Sequence, residues 1–500
     1  MVGANPCPNG GEHHALSQHH AHDVAAFRAE RHANAELAAS APQPNTRTLG
    51  KCRLRPETVR RSLSTFSIAR AVQRRVNRCA YLNRLTYRFV AASLTALPLV
   101  VNQPAAQLPT DAAAVLAHVV PVTFAPELSH TAKQALTAAI GNRRIVLLGE
   151  NGHGVGQFTA AKVEIVKFLH QQLGFDVIAF ESGFDECRSA DEHLTADTVI
   201  DAMRSCLLAA FHHRELIPLF DHVAGTRASP RLIHLAGIDF QVQNTSRQRS
   251  ARFADVLRSQ SASRADQLLA LDSAYVEKSF GSTDEKVQWV REHGRNLKQL
   301  LDEAAAVSKD SMQWAITGAS ELMRRELARS DALAAQQSVP AAFYEIRDEW
   351  MARSVGRLID ADSKRRVVVW MHNDHARYGS WEQGDLRIRA TGYFIREKLG
   401  DAIYSIGLLM GSGTFADNSR RERPVAEAPP DSIERLLART GAAAAFLPLT
   451  NTKNEALRRW ADGEHPYIRG SSVATMRPGR EFDALLYIDK VSPPSFKLTR

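Results

Sequence analysis

Cysteine is scarce: the chain has five in 500 residues, and three of them (Cys7, Cys52, Cys79) precede residue 80. A disulfide scaffold is thereby excluded, and only Cys187 and Cys206 are left to pair in an oxidising compartment or to sit as small buried hydrophobes. There is no CxxC, which removes the commonest zinc and dithiol signatures. HExxH and GxSxG are missing as well, so neither a metallopeptidase zinc helix nor a serine nucleophile elbow is expected. Long apolar runs are lacking too. FVAASLTALPLVV (Phe89 to Val101) has 13 residues, short of the roughly 20 that span a bilayer as a helix. Excess charge is confined to one end: of 63 basic and 54 acidic residues, 14 and 5 lie within residues 1–100, which leaves 49 of each beyond. A nucleic-acid-binding domain carries its surplus on the folded surface that meets phosphate, so a net charge of +9 with a neutral body argues against nucleic acid.

What is present is ordinary globular composition, 44% hydrophobic and 23% charged, on a chain long enough for a sizeable core. Residues 1–75 read as a disordered, basic, His-rich leader: His13, His14, His19, His20, His22 and His32 recur without apolar periodicity. Residues 76–110 have the order of a secretory signal, with arginines (Arg78, Arg84, Arg88), the apolar run, then Pro104, Ala105 and Ala106. Export signals begin at an N-terminus. The segment therefore points to an exported or periplasmic protein whose translation starts near Val76 or Leu82, with residues 1–75 outside it; the alternative is a cytoplasmic protein with a buried apolar helix there.

Residues 111–500 read as the folded domain. Short β-branched or apolar runs recur as RIVLLGE (144–150), DVIAFESG (176–183), RLIHLAGID (231–239), RRVVVWMHN (365–373) and AIYSIGLLMG (402–411). Such runs suit parallel strands covered on both faces. Between the first two, Phe158, Ala161, Ile165 and Phe168 repeat at helical spacing and Gly174 ends the repeat, giving a βαβ crossover. The expected fold is α/β: an open, mostly parallel sheet flanked by helices. From Arg231 to Val339 there is no proline, and Val287, Val290, Leu297, Leu301 and Ala304 keep a helical stripe behind a capping box at Ser282 to Glu285. Residues 246–362 are therefore predicted to be a helical insertion. AAFLPL (444–449) and ALLYID (484–489) return to strand pattern, whereas GSGTFA (411–416) is expected to turn.

Four of the five strands end in ionisable residues: Glu150 and His153, then Glu181, then Asp239, then His372, Asp374 and His375. In a parallel sheet these ends share the edge where ligands of open α/β folds bind. The GENGHGVGQF loop (149–158) lacks the Lys-Ser/Thr of a phosphate loop. WMHNDHARYG (370–379) sets His372 and His375 three apart, within reach of one ion or one water. The set suits either a divalent metal held by His372, His375, Glu150 and Glu181 or a metal-free acid/base network. No Ser or Cys stands in a nucleophile setting, so water is the expected nucleophile.

These motifs resemble the erythromycin esterase family. The resemblance runs over roughly residues 137–415 and rests on LGENGHG with Gln157 and Phe158, GFDVIAFESG, GID (237–239), RDEWMA (347–352), MHNDHARYG and TGYFIREKLGDAIYSIGLLMGSGTF. It implies hydrolysis of a carboxylic ester, the macrolactone of 14-membered macrolides, and hence antibiotic resistance. His153 would be the general base, Glu150 and Glu181 would orient and polarise it, and His372 and His375 would act at the ester carbonyl. Lys162, Asp239 and Asp374 would bind the small-molecule ester. The family pattern has an acidic residue at position 157 and an arginine at 162, where this chain has Gln157 and Lys162; lysine lacks the bidentate grip of arginine. The alternatives are a metal-dependent peptidase or amidase, and a non-catalytic metal- or ligand-binding protein with the same Glu/His cleft.

Overall fold

The computed structural model describes residues 110–498, apart from 126, 242–246, 279 and 451. The leader and the signal-like segment to residue 109 lie outside the described residues. In chain order the strands are β1 (Val120–Pro121), β2 (Ile145–Leu148), β3 (Val177–Gly183), β4 (His234–Asp239), β5 (Val367–Trp370), β6 (Ser380–Gln383), β7 (Leu386–Arg389), β8 (Ile403–Ala416), β9 (Glu422–Pro424), β10 (Ala444–Pro448), β11 (His465–Arg469), β12 (Ser472–Met476) and β13 (Ala484–Val491).

Nine of them form one sheet in the order β1-β10-β13-β8-β2-β5-β3-β4, with β9 paired to β8. From β13 to β4 all neighbours are parallel, while β1, β9 and β10 pair antiparallel. The chain moves outward from β2 to β3 and β4, returns to β5 between β2 and β3, then continues to β8 and β13 on the other side. This doubling back puts the C-terminal ends of β2, β5 and β3 side by side, as in open α/β sheets that bind ligands at such a point.

The alternation within each strand assigns its side chains to two apolar layers. Val146, Leu148, Ile178, Phe180, Val368 and Trp370 face one layer with Phe158, Ile165 and Leu169 of the helix Gly156–Leu173. Ile145, Leu147, Val177, Ala179, Val367 and Val369 face the other with Met351, Val355 and Ile359 of the helix Ala341–Asp360. Both faces are dry, which is why these strands read as unbroken apolar runs.

Between β4 and β5 the chain is helical: Arg247–Arg258, Ala262–Glu277, Thr283–Trp289, Arg295–Val307, Asp310–Ala334 and Ala341–Asp360. They share a separate core that includes Leu268, Val290, Leu297, Leu301, Met323 and Trp350, with Trp314 stacked on Trp350 at 4.3 Å. Ser282 caps the third of them, its Oγ accepting from the Glu285 backbone N–H at 3.1 Å. Cys187 and Cys206 are joined by a disulfide that ties the helix Phe184–His193 to Val199–Cys206.

The expected turn at residues 411–416 is corrected: β8 runs through it to Ala416. Antiparallel pairing with β9 and a bridge from Ala416 to Gly154 supply partners that no local pattern reveals. Among the described residues no helix is long and apolar enough to cross a membrane.

Candidate functional site

Above the C-terminal ends of β2, β3 and β5 lies a cavity of about 710 Å³, roofed by the helical segment 262–344 and walled on the far side by Phe415 and Arg469. His153, Glu181, His372, Asp374 and His375 reach its wall. Glu150, Lys162 and Asp239 are not part of that wall. Lys162 and Asp239, expected to bind the ester, are both 0% exposed and spend their charge on neighbouring side chains behind the wall.

The loop that carries His153 is fixed by backbone approach. A Cβ on Gly149 would stand 2.1 Å from Asn373 Oδ1, and one on Gly154 would stand 2.1 Å from the Ala416 carbonyl. Asn373 in turn accepts from the Leu408 N–H and donates to the Leu408 carbonyl, and its own N–H donates to the Glu150 carbonyl at 2.7 Å. The β2 loop, the β5 loop and β8 are thus stitched together.

Glu150 lies behind His153. Its Oε1 meets His153 Nδ1 at 2.9 Å, and its Oε2 accepts from Lys162 Nζ at 2.8 Å. Burial pushes the Glu150 carboxyl up, but Lys162 and His153 outweigh it and hold the group below its usual range. Burial takes the Lys162 ammonium down to about 8 even beside that carboxylate. For His153, burial opposes the proton, while the hydrogen bond and charge of Glu150, then the charge of Glu181, more than offset it and hold the imidazole above its ordinary value. With Nδ1–H donated to Glu150, Nε2 is the basic nitrogen left for a ligand.

His372 has the complementary arrangement. Its Nδ1 accepts the Asp374 backbone N–H at 3.1 Å, capping the short helix Asn373–Ala376, so the proton belongs on Nε2. Burial, against the pull of Asp374, takes this imidazole down to about 4, so it is neutral at physiological pH. The His153 and His372 rings stand edge to face at 5.2 Å, and Phe211 packs on His153 at 5.0 Å. One ring offers an acceptor and the other a donor.

His375 is engaged on both nitrogens. Nδ1 meets Asp348 at 2.7 Å, and Nε2 lies 3.1 Å from Arg347 Nη1 and 3.5 Å from Glu181. It cannot act at a carbonyl, as expected of it from the sequence, without giving up a partner. Glu181 accepts the His372 N–H at 2.9 Å and Arg347 at 2.7 Å. Burial disfavours its charge, but His375 and Arg347 prevail and keep it ionised. Asp239 receives Arg347 Nε and Nη2 at 2.8 and 2.7 Å. Asp374 accepts from Arg377 at 3.1 Å and Arg469 at 2.5 Å.

These partners also decide how a cation would fare. Glu150 faces an ammonium, Glu181 a guanidinium, His372 Nδ1 an N–H, and His375 has no nitrogen to spare. The four side chains expected to hold a divalent metal do not fit one, and no group of three or more His, Cys, Asp or Glu side chains gathers as a metal site among the described residues.

Arg347 and Asp348 are the functional residues that motif reading at strand ends does not single out. Their signal is nonetheless present: they interrupt the apolar stripe Phe343, Ile346, Trp350, Met351 with two charges on a helix, and a charge in such a stripe needs a buried partner. That partner set is Asp239, Glu181 and His375.

A mostly parallel α/β sheet with two imidazoles of complementary hydrogen bonding at the C-terminal ends of its strands defines the class of scaffold. The chain belongs to the erythromycin esterase family: the family model described as "Erythromycin esterase" matches residues 170–491. Glu150 and His153 precede that matched stretch. The chain is 26% identical over 387 residues to a Bacillus subtilis (strain 168) protein named "Putative hydrolase YbfO", covering 72% of this chain and 86% of that one. Family and relative together support a hydrolase. The fold is shared with a crystal structure of a succinoglycan biosynthesis protein (TM-score 0.66, 18% identity, 77% of this chain and 98% of that one). It is shared also with a mutant of the erythromycin esterase EreC in its open conformation (TM-score 0.58, 17% identity, 75% and 98%).

Proposed function

We propose that this protein is a carboxylic-ester hydrolase, with the macrolactone of 14-membered macrolides among its candidate substrates. The observation that carries the reading is the His153–His372 pair: a carboxylate-backed imidazole with Nε2 as acceptor, and a neutral imidazole with Nε2–H as donor, on one cavity wall. A water beside His153 gives its proton to Nε2 as its oxygen bonds to the ester carbonyl carbon. His372 Nε2–H then hydrogen-bonds the oxygen where negative charge develops. As the intermediate collapses, the ester C–O bond breaks and His153 returns the proton to the departing alkoxide. Glu150 fixes the His153 tautomer. Glu181 holds the His372 backbone, and Arg347 with His375 holds Glu181. Exported localisation, proposed from residues 76–106, is supported by the Cys187–Cys206 disulfide.

Mass spectrometry of erythromycin incubated with the purified protein tests the substrate, and an ester panel tests the reaction class. Gain of one water with wild type and none with His153→Gln supports the reading. Equal hydrolysis by both proteins refutes it.

A further inference from the structure

The cavity has two chemically different walls. Opposite the sheet edge, the helix Asp310–Ala334 contributes Arg325, Glu326 and Arg329, and the segment before Thr283–Trp289 and that helix itself add Thr283 and Lys286. Glu326 is the one carboxylate among them. It is 4% exposed, pairs with Lys286 at 2.9 Å, and lies 3.8 Å from Arg325. Lys286 and Arg325 both lean on Glu326, and the Arg325 side chain is only 16% exposed. Asp239, another carboxylate whose charge reaches Arg325, is already gripped twice by Arg347.

The donors of the two arginines are held ready rather than consumed. Arg325 gives Nε to the Phe343 carbonyl at 3.2 Å and stacks on the Phe343 ring at 4.1 Å. Arg329 also lies over that ring, at 5.7 Å, reaches Thr283 Oγ1 at 3.4 Å, and has a buried Nε with no partner among the described residues. Partly buried guanidinium groups with no close carboxylate of their own are costly unless an anion arrives to match them, and Arg325 has only a long contact to a Glu326 already held by Lys286. A planar fork on each suits a tetrahedral or planar oxyanion. Arg325 and Arg329 line the same cavity as His153 and His372, so such an anion would share that cavity with the reacting ester.

We propose that Arg325 and Arg329 form an oxyanion subsite, so that the cavity takes an ester carrying a carboxylate, phosphate or sulfate group away from the scissile bond, a group that erythromycin lacks, which places such esters ahead of macrolides as substrate. This rests on the ester-hydrolase reading for its chemistry, but its binding half can be tested without turnover. The full chain is titrated with inorganic phosphate and, separately, with succinate, following thermal melting in wild type, Arg329→Gln, Arg329→Lys, an Arg325→Gln/Arg329→Gln double variant and His153→Gln. Saturable stabilisation by at least one anion in wild type, His153→Gln and Arg329→Lys, weakened about tenfold or more in Arg329→Gln and lost in the double variant, supports the subsite. The anion that binds tells which group the substrate carries. Equal response in all five proteins, or none in wild type, overturns it. In parallel, kcat/KM is compared for 1-naphthyl hemisuccinate and neutral 1-naphthyl acetate. The ratio is expected to favour the anionic ester in wild type and to fall in Arg329→Gln through KM. An unchanged ratio overturns the subsite, whereas full activity of His153→Gln would overturn the hydrolase reading and leave the anion titration to decide the subsite.

Discussion

Replacing Glu150 with Gln probes the base and its support in one step. The side chain keeps its shape but loses the charge that faces His153 at 2.9 Å and Lys162 at 2.8 Å. A neutral amide can present its NH₂ to His153 and select the wrong tautomer; in serine proteases, loss of the carboxylate behind the histidine costs about 10⁴ in kcat. Here a fall of about 10²–10⁴ is expected. Stability suffers less than a broken buried ion pair implies, which is about 3–5 kcal/mol. Burial already takes Lys162 down to about 8, and without Glu150 it loses the largest influence holding it up. It sheds its proton near neutral pH instead of remaining a buried cation, which brings the loss to about 2 kcal/mol. The pH profile carries the sign. Activity needs neutral His153, so the wild-type rate rises with pH through a value above the ordinary 6.5. Glu150 supplies the leading upward influences, so the acidic limb moves to lower pH in Glu150→Gln. Stopped-flow or steady-state ester hydrolysis from pH 5 to 9 with parallel urea unfolding provides the test. Wild-type kcat, or a limb displaced to higher pH, would refute the assignment. Adding Lys162→Met removes the second buried charge and should restore stability without restoring rate.

Arg347→Lys keeps the charge but cannot grip Asp239 twice while reaching Glu181 and His375; a loss of about 2–4 kcal/mol is expected in chemical denaturation, together with a lower kcat. Glu434 is buried with Oε1 on the Ile468 N–H, and burial pushes it up to about 7 from an ordinary 4.5. Between those pH values the native state holds a proton that the unfolded chain releases, so stability falls as pH rises through the window, by about 3 kcal/mol in all. Glu434→Gln should flatten this slope and melt above wild type at pH 8; parallel curves would count against it. Cys187 and Cys206, 19 positions apart, close a loop adjoining Phe211, which packs on His153. Cys187→Ser/Cys206→Ser should cost about 3 kcal/mol, seen as a lower Tm without reductant and an unchanged Tm with it.

The strand cores were legible because parallel strands buried on both faces must be apolar along their whole length, and VVVW or IVLL has no other comfortable setting. Those runs also gave away the sheet edge, and with it Glu150, His153, Glu181 and His372, since Glu181 lies near the end of its own strand and the others within five residues of the end of theirs. Residues 411–416 misled because β8 is sustained there by β9 and by Gly154, partners distant in sequence. The engagement of both His375 nitrogens was equally invisible. It depends on Asp348 and Arg347 approaching from a helix that begins 34 positions earlier.

Local sequence thus determined which side chains stand at the edge of the sheet, because periodicity and strand length are properties of short segments. Only the tertiary structure decided what each one does there. Whether an imidazole is a base, a donor or a brace depends on which atom lies 3 Å away, and those atoms arrive from strands and helices that fold over from elsewhere in the chain.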